Sequence, residues 1–321
     1  MIAFRGFVGA RVFSDPQAIL SLLAVIVSLL IQPYAFAQQL VSGDSLISGI
    51  FAGDEIQIRT TSRTAGAIDS LTWMGKEFVN SYDHGRQIQT TAHFNGLGSC
   101  YNPTEAGSRS DGIGAQSSSR LLELTATRNS ISTRTQMAYW LMPGQQPMNC
   151  GPNVRTVRNN TVLSNHILEK EVTIGFHGMP NVVEYKIKYI VPESYALGTF
   201  EIVTGYMPVD FEKFWTLDRD TGRVASLSDG PGEQNFPVVF STADERYALG
   251  VYNTKLPLSS WPRHGYGRWR FNKAKGPTVK WNCVERIRGV IVGSYSFRCF
   301  IVVGSLIDVQ TSLLTLSRLD R

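Results

Sequence analysis

The sequence lacks the motifs that mark several large classes of protein. Its 321 residues contain no G-x-x-x-x-G-K-[ST], G-x-G-x-x-G, H-E-x-x-H or G-x-S-x-G segment. Phosphate-binding loops, zincin-type metal sites and serine-hydrolase elbows are therefore not predicted. No C-x-x-C or H-x-x-x-H spacing occurs either, so we expect no tightly bound metal and no other cofactor.

Blocks of positive charge are also missing. The formal net charge is +5, and Lys and Arg are spread along the chain. Nucleic-acid binding and polybasic attachment to a membrane are therefore not predicted, whereas an anionic ligand is compatible with the small positive excess.

Long apolar runs are absent except near the start of the chain. The run "AILSLLAVIVSLLI" follows Arg5 and Arg11, and the small residues "AFA" stand at 35 to 37. This run is shorter than the roughly 20 residues that a membrane-spanning helix needs, and its flanks are typical of an export signal. We predict that residues 1–37 are a cleaved signal and that residues 38–321 form one periplasmic or secreted domain without a stable membrane span.

Cysteine is scarce, with four residues in the chain. In an exported protein, four cysteines are expected to form two disulfides, because the periplasm and the exterior are oxidising. Three pairings are open. Cys100 and Cys150 lie in Gly/Pro/Asn-rich stretches, while Cys283 and Cys299 lie in apolar strand-like segments. Because the members of each pair have similar surroundings, we predict the disulfides Cys100–Cys150 and Cys283–Cys299. For the second pair, free buried thiols are the alternative.

Alternation of apolar and polar residues dominates residues 38–321. In "VVEYKIKYIV", residues 182–191, the apolar positions recur at every second residue, which is typical of a half-buried strand. Clusters of Gly, Pro, Asn and Asp separate such segments and predict turns. The fold is therefore predicted to be all-β, a large antiparallel sandwich or barrel. One short helix is expected in "SLIDVQTSLLTLSRL", where Ser305 and Asp308 resemble a capping box.

Two long irregular stretches interrupt this pattern, at residues 95–119 and 141–161. Loops longer than about 12–15 residues within a domain are usually functional or disordered. If Cys100 bonds to Cys150, the two stretches become one stapled rim.

The densest titratable chemistry lies in "EFVNSYDHGRQIQTTAHF", residues 77–94, which contains Asp83, His84, Arg86 and His93. A carboxylate and a guanidinium can each hold two neighbouring sugar hydroxyls, and arginine also binds a carboxylate bidentately. Histidine, here His84, is the side chain most often used for acid–base catalysis near neutral pH. We predict that Asp83, His84 and Arg86 are catalytic and that His93 binds substrate. The alternative is a strand edge at which Asp83 and Arg86 pair structurally with neighbours.

A further carboxylate lies in the loop "CYNPTEAGSRSDG", residues 100–112. Pro103 and Gly107 punctuate this loop around Glu105, which suits a positioned side chain. We predict that Glu105 is a general acid or base and faces His84 across a cleft. An ordinary solvated loop glutamate is the alternative.

If the ligand is a glycan, two kinds of cleavage are open to these residues. Hydrolysis by the usual route needs two carboxylates about 5–5.5 Å or 6.5–9.5 Å apart, for which Asp83 and Glu105 are the candidates. Elimination from a uronate needs a base, for which His84 or Tyr101 is the candidate, and a cation, for which Arg86 is the candidate.

Aromatic residues among turns form a third group. Trp261 and Trp269 lie in "SSWPRHGYGRWRF", and their flat rings suit stacking on the apolar faces of sugars. Glu233, in "SDGPGEQNFP", is a secondary binding candidate. The alternative for the rings is that they close the core of the sandwich.

The segment "GAIDSLTWMGKEFVN", residues 66–80, resembles the opening hairpin of galactose-mutarotase-like proteins. This resemblance implies a β-supersandwich with a carbohydrate cleft on one concave face. It also implies that Arg86 and either His93 or His84 bind the sugar. By the same resemblance His166 matches the mid-chain histidine of the family, and Glu285 matches its late glutamate.

We conclude from the sequence that the chain is an exported carbohydrate-active protein. It is expected to bind an oligo- or polysaccharide and to cleave it by acid–base catalysis, either by hydrolysis or by β-elimination. Two alternatives stay open: an aldose mutarotase or epimerase, and a glycan-binding module without catalysis.

Overall fold

The computed structural model describes residues 41–319 except for 96–97, 149, 151–152, 219–220, 254–264 and 273–275. The predicted export signal, residues 1–37, and the predicted stacking residue Trp261 lie outside the described residues.

Strands make up most of the described chain, and one helix, α1 (Leu306–Leu319), follows the last of them. Two short 3-10 turns occur, Ser62–Thr64 and Arg109–Asp111. The strands are β1 (Ser45–Phe51), β2 (Asp54–Thr60), β3 (Ile68–Trp73), β4 (Lys76–Glu77), β5 (Gln89–Phe94), β6 (Pro103–Thr104), β7 (Arg120–Ala126), β8 (Ser130–Tyr139), β9 (Leu163–Phe176), β10 (Met179–Val191), β11 (Tyr195–Met207), β12 (Lys213–Leu217), β13 (Val224–Leu227), β14 (Gly232–Gln234), β15 (Val238–Ser241), β16 (Ala248–Tyr252), β17 (Tyr266–Phe271), β18 (Thr278–Val290) and β19 (Gly293–Gly304).

These strands form two antiparallel sheets. The smaller has the order β1-β2-β3-β4, and the larger has fifteen strands in the order β13-β12-β15-β16-β19-β10-β9-β8-β6-β5-β11-β18-β17-β14, with β7 paired to β8. The described end strands of the large sheet, β13 and β14, do not pair with each other, so the sheet is open. The all-β prediction is confirmed, and of the two architectures considered, the sandwich is the one observed.

The large sheet folds back on itself around a common core. Tyr189 of β10 packs against Phe200 of β11 with ring centroids 5.3 Å apart, although β9, β8, β6 and β5 separate these strands in the sheet order. Along β10, Val183, Tyr185 and Tyr189 are buried in this core. The predicted alternation therefore marks the face that turns inward.

Helix α1 covers the outer face of β16 and β19. Its residues Val309 and Leu313 pack onto a small apolar cluster there, and a Cβ added at Gly250 would lie 2.6 Å from Val309 Cγ1. The helix begins as predicted: Ser305 N donates to Asp308 Oδ2 at 3.0 Å, and Asp308 N donates to Ser305 Oγ at 3.3 Å.

Both predicted disulfides are present, Cys100–Cys150 and Cys283–Cys299. The second joins β18 to β19, which lie in the two opposed halves of the folded large sheet. Two disulfides indicate an extracellular or otherwise non-reducing location.

No helix among the described residues has the length and apolar character needed to cross a membrane.

The first disulfide joins the two irregular stretches into one rim, as the sequence predicted. We call residues 141–148 the strap. Ser99 N donates to Met148 O at 3.0 Å, and Met148 N donates to Ser99 Oγ at 2.9 Å. The strap is therefore fixed next to the end of β5 by main-chain contacts as well as by the disulfide.

Candidate functional site

The polar residues of three neighbouring strands, β5, β11 and β18, share the outer face of the large sheet. Glu201 pairs with Thr91, and Tyr206 pairs with Lys280. Their neighbours in the chain, such as Phe200, turn the other way and are fully buried in the core. A sheet face with ionisable residues in its centre is therefore available outside the core.

This face forms the floor of a cleft with a volume of about 280 Å³. The rim of the cleft is made by the strap, by the loop after β5 and by Gly85. The lining includes Gln89, Thr91, His93, Asn102, Trp140, Met148, Glu201, Thr204, Tyr206 and Lys280.

Three ionisable groups meet in the cleft. Glu201 Oε1 lies 3.4 Å from His93 Nε2 and 3.3 Å from Lys280 Nζ. The exposed fractions of the side chains are 18% for His93, 19% for Lys280 and 7% for Glu201. The carboxylate is therefore the deepest of the three, and a ligand reaches His93 and Lys280 first.

The second nitrogen of His93 fixes the form of its ring. Nδ1 lies 3.1 Å from the carbonyl oxygen of Gly98. Because a carbonyl oxygen only accepts, Nδ1 carries a hydrogen and donates it, which leaves Nε2 as the nitrogen that takes up or releases a proton. Glu201 Oε1 lies beside that nitrogen.

The opposite charges of Glu201 and Lys280 stabilise each other. Burial raises the pKa of Glu201, but the neighbouring Lys280 and His93 outweigh burial and hold that pKa well below its usual value. Burial lowers the pKa of Lys280, but the charge of Glu201 outweighs it and holds that pKa above its usual value. Glu201 is therefore ionised and Lys280 protonated across the neutral pH range.

Glu201 also keeps an unused acceptor. Its Oε2 atom is buried and has no hydrogen-bond partner among the described residues. A buried acceptor without a partner is costly unless a ligand or water supplies a donor.

Aromatic rings enclose Lys280. Its Nζ lies 5.7 Å from the ring centroid of Tyr206 and 5.2 Å from that of Trp269. Burial is the main cause that raises the pKa of Tyr206, so its hydroxyl stays protonated.

Another ring of the cleft, Trp140, packs against Gly85, where an added Cβ would lie 2.6 Å from Trp140 Cη2. A residue with a side chain at position 85 would displace this ring.

Asp83 and Arg86 lie next to the cleft as an ion pair. Arg86 Nε lies 3.3 Å from Asp83 Oδ2, and the guanidinium lies over the ring of Tyr82 and donates to Gly276 O. The charges of both residues influence the pKa of Tyr206. This is the structural pairing that the sequence left open, at a position beside the site.

The predicted grouping of Glu105 and His84 with these residues in one cleft is not found. Glu105 is fully buried on the core side, where it contacts Lys170 and accepts from Thr90 N at 3.0 Å. His84 is also buried, with its ring nitrogens 2.8 Å from Gly112 O and Arg63 O. Neither side chain reaches the cleft, because each is enclosed by partners within the fold.

His166 and Tyr101 belong to an aromatic cluster on the core side. The His166 ring stacks on Phe94 at 5.0 Å, its Nε2 lies 3.1 Å from Tyr195 Oη, and burial lowers its pKa to about 3. Tyr101 packs against Tyr195 and donates to Arg158 O. Phe94 follows the cleft residue His93 in the strand and so points to the opposite face, which is why this cluster lies away from the cleft.

The remaining predicted residues lie on neighbouring strands. Trp269 stands beside Lys280, and Glu233 is paired with Arg286 at 2.8 Å while its charge raises the pKa of Lys280. Both are therefore close to the candidate site. Glu285 lines a different cavity, together with Phe297 and residues of β7 to β10.

The cleft residues that the sequence reasoning missed include Glu201, Tyr206, Lys280 and Trp140. A signal for Glu201 exists, because it is the one charged residue in the otherwise apolar and small segment "YALGTFEIVTGYM". No described group of three or more His, Cys, Asp or Glu side chains is arranged to hold a metal ion.

No protein-family model matches the sequence, and no curated protein matches it. Among solved structures, a mutant of heparan sulfate lyase HepC from Pedobacter heparinus matches with a TM-score of 0.42 at 7% identity over 82% of this chain and 35% of that chain. Protein Slr1438 from Synechocystis sp. PCC 6803 matches with a TM-score of 0.42 at 9% identity over 81% of this chain and 96% of that chain.

The GH36 α-galactosidase AgaB from Geobacillus stearothermophilus matches with a TM-score of 0.42 at 8% identity over 82% of this chain and 40% of that chain. This chain thus spans little more than a third of the lyase and two fifths of the galactosidase. These neighbours include carbohydrate-active enzymes, but a TM-score of 0.42 is too low to assign a function to this chain.

Proposed function

We propose that the chain is an exported enzyme that binds an acidic glycan in the cleft and cleaves it by β-elimination. The observation that carries this proposal is the contact of His93, Glu201 and Lys280 in a cleft on the outer face of β5, β11 and β18. The two disulfides support the export part of the proposal.

His93 is the base. Its Nδ1 hydrogen is held by Gly98 O, so Nε2 accepts the proton from C5 of a uronate. The imidazolium that results lies 3.4 Å from the Glu201 carboxylate, which stabilises the new charge. For Glu201 to stabilise the imidazolium of His93, its carboxylate must stay ionised, in keeping with its lowered pKa.

Lys280 and Tyr206 serve the other half of the reaction. The Lys280 ammonium neutralises the substrate carboxylate, which makes the C5 proton more acidic. As the C5–H electron pair forms the new double bond to C4, the C4–O bond breaks and Tyr206 gives its hydroxyl proton to the leaving oxygen. Tyr206 regains a proton from solvent, and His93 releases the one that it took.

The cleft supports elimination better than hydrolysis. Glycoside hydrolysis by the usual route uses two carboxylates on opposite sides of the bond. Among the described residues that line the cleft, Glu201 is the sole carboxylate, and its Oε1 atom already contacts His93 and Lys280.

The test is to incubate the purified protein with polygalacturonate, alginate, chondroitin and neutral polysaccharides. We expect ultraviolet absorbance from an unsaturated uronate with at least one acidic polymer. The variant His93→Gln should lower kcat/KM by about 100-fold or more, the usual contribution of a general base. The matched control is His177→Asn, an exposed turn residue with positive φ that asparagine tolerates.

Other products would contradict the proposal. New reducing ends without unsaturation would indicate a hydrolase, and faster anomer exchange of a free sugar would indicate a mutarotase. Binding without any turnover would indicate a glycan-binding module. Equal losses in His93→Gln and His177→Asn would remove His93 from the mechanism.

A further inference from the structure

A second groove adjoins the cleft on the far side of the strap. It has a volume of about 620 Å³ and is lined by Arg109, Ser110, Leu141 and residues 145–148. Met148 lines both the groove and the cleft. The two hollows are therefore neighbours that share one side chain as their boundary.

The boundary between the hollows is fixed. Met148 is held to Ser99 by reciprocal main-chain and hydroxyl contacts, and the Cys100–Cys150 disulfide fastens the same two segments. On the other side of the boundary, Trp140 lines the cleft while its carbonyl oxygen accepts from Arg109 N at 2.8 Å. Arg109 is thus placed by the same residue that forms a wall of the cleft.

The groove has the chemistry of a site for an acidic sugar. Arg109, Ser110 and Gln146 are exposed and offer hydrogen-bond donors, and arginine matches the geometry of a carboxylate or sulfate. Leu141, Pro147 and Met148 supply apolar surface between them. Mixed apolar walls with a few convergent polar groups are typical of small-molecule sites.

We propose that this groove is a second sugar subsite, so that the ligand is an acidic oligosaccharide with one unit in the cleft and the next unit beyond Met148. The inference rests on the proposed function, because it takes the cleft as the place where the reacting unit binds. It deepens that function by assigning the neighbouring sugar unit of the glycan to a defined groove, with Arg109 as the residue that recognises the acidic group of that unit.

The test is calorimetric titration with oligogalacturonates, alginate oligomers and chondroitin oligosaccharides, each from the shortest unit to the hexasaccharide. The His93→Gln protein is used so that the glycan is not cut. We expect oligomers to bind at least about 10-fold more tightly than the single unit, as expected for one added charge-assisted contact.

Adding Arg109→Ala should weaken oligomer binding about 10-fold and leave binding of the single unit unchanged. The matched control is Arg128→Ala, an exposed arginine in the turn between β7 and β8, which should change neither. A thermal unfolding midpoint equal to that of the parent protein shows that each variant is folded.

The outcomes separate the two proposals. Equal affinity at every length, or a loss of single-unit binding in Arg109→Ala, overturns the subsite and leaves the proposed function standing. Length-dependent binding that needs Arg109, without elimination by the wild-type protein, supports the subsite and overturns the proposed function. Absence of binding to all three series overturns both.

Discussion

Two glutamates, each in contact with a lysine, show how burial separates a pair in the core from a pair in the candidate site. Glu105 and Lys170 have fully buried side chains, and Lys170 Nζ also donates to Gly66 O at 2.9 Å. Glu201 and Lys280 form the partly exposed pair in the cleft. The buried pair is satisfied within the core, because Thr90 N at 3.0 Å and Tyr185 Oη at 3.5 Å reach the second oxygen of Glu105.

Removing the lysine from the buried pair should be far more damaging than removing an exposed one. In Lys170→Met we expect the free energy of unfolding to fall by about 3–5 kcal/mol, because the carboxylate of Glu105 is left buried without its partner. The double variant Glu105→Gln/Lys170→Met should recover part of the loss. Denaturant titration gives these values.

The control for this prediction is Lys188→Met on the outer face, where Lys188 and Glu169 lie 3.0 Å apart with side chains that are 47% and 36% exposed. Exposed pairs contribute about 1 kcal/mol or less. If Lys170→Met were as mild as Lys188→Met, the buried pair would not have the assigned role.

His166 should make the fold less stable as the pH falls. Its pKa is lowered from 6.5 to about 3 by burial, so between these values the unfolded chain binds a proton that the folded chain does not. The unfolding free energy is therefore unaffected by this group above about pH 6.5 and falls as the pH drops toward 3. The fall is roughly 2 kcal/mol between pH 7 and pH 5. In His166→Phe, whose ring can still stack on Phe94, the fall in unfolding free energy between those pH values should be smaller by that amount.

The matched control for the pH experiment is again His177→Asn, because His177 is exposed. This variant should keep the full pH dependence of the wild-type protein. A His166→Phe protein with an unchanged slope would show that another group causes the loss of stability at low pH.

At the scale of elements, the two disulfides have different tasks. Cys100–Cys150 closes 50 residues and fixes the strap beside the cleft, whereas Cys283–Cys299 closes 16 residues and ties β18 to β19 within the core. Chain-entropy arguments give about 4 and 3 kcal/mol for loops of these lengths. Similar losses of stability are therefore expected from removing either bond.

Activity should distinguish the two bonds. We expect Cys100→Ser/Cys150→Ser to lower kcat/KM by on the order of 10-fold or more, because Ser99 and Met148 lose their fixed positions at the cleft. Cys283→Ala/Cys299→Ala should lose stability with little change in kcat/KM at a temperature where it is folded. Kinetics with the best acidic polymer and denaturant titration check both. Equal kinetic losses would argue against a role of the strap.

Strand irregularity also acts at this scale. A bulge lies between Glu201 and Val203 in β11, and Ile202 and Val203 are both buried. Simple alternation from Glu201 would turn Tyr206 into the core, whereas the extra residue places Tyr206 on the face of Glu201. The bulge therefore assembles the acid and the carboxylate of the proposed reaction on one surface.

For the whole molecule, the decisive feature is the folding of one large sheet over a shared core. It gives every strand an inner and an outer face. Phe94, Tyr195 and His166 become an inner aromatic cluster, while His93 is the residue of that region that faces out. Residues of the same type in one stretch of sequence are thereby separated into core and cleft.

The strand pattern, the capped C-terminal helix and the pairing of the cysteines followed from the sequence, because these features depend on local periodicity, local capping and the character of short flanking segments. Of the residues that line or adjoin the candidate cleft, the sequence reasoning had named His93, Trp269 and Arg86. Tertiary structure alone decided that Glu105, His84 and His166 are enclosed and that His93 meets Glu201, 108 residues away, and through it Lys280. The physical reason is that the face on which a side chain lies depends on bulges and on the register with a distant strand, and neither is encoded in the residues next to it.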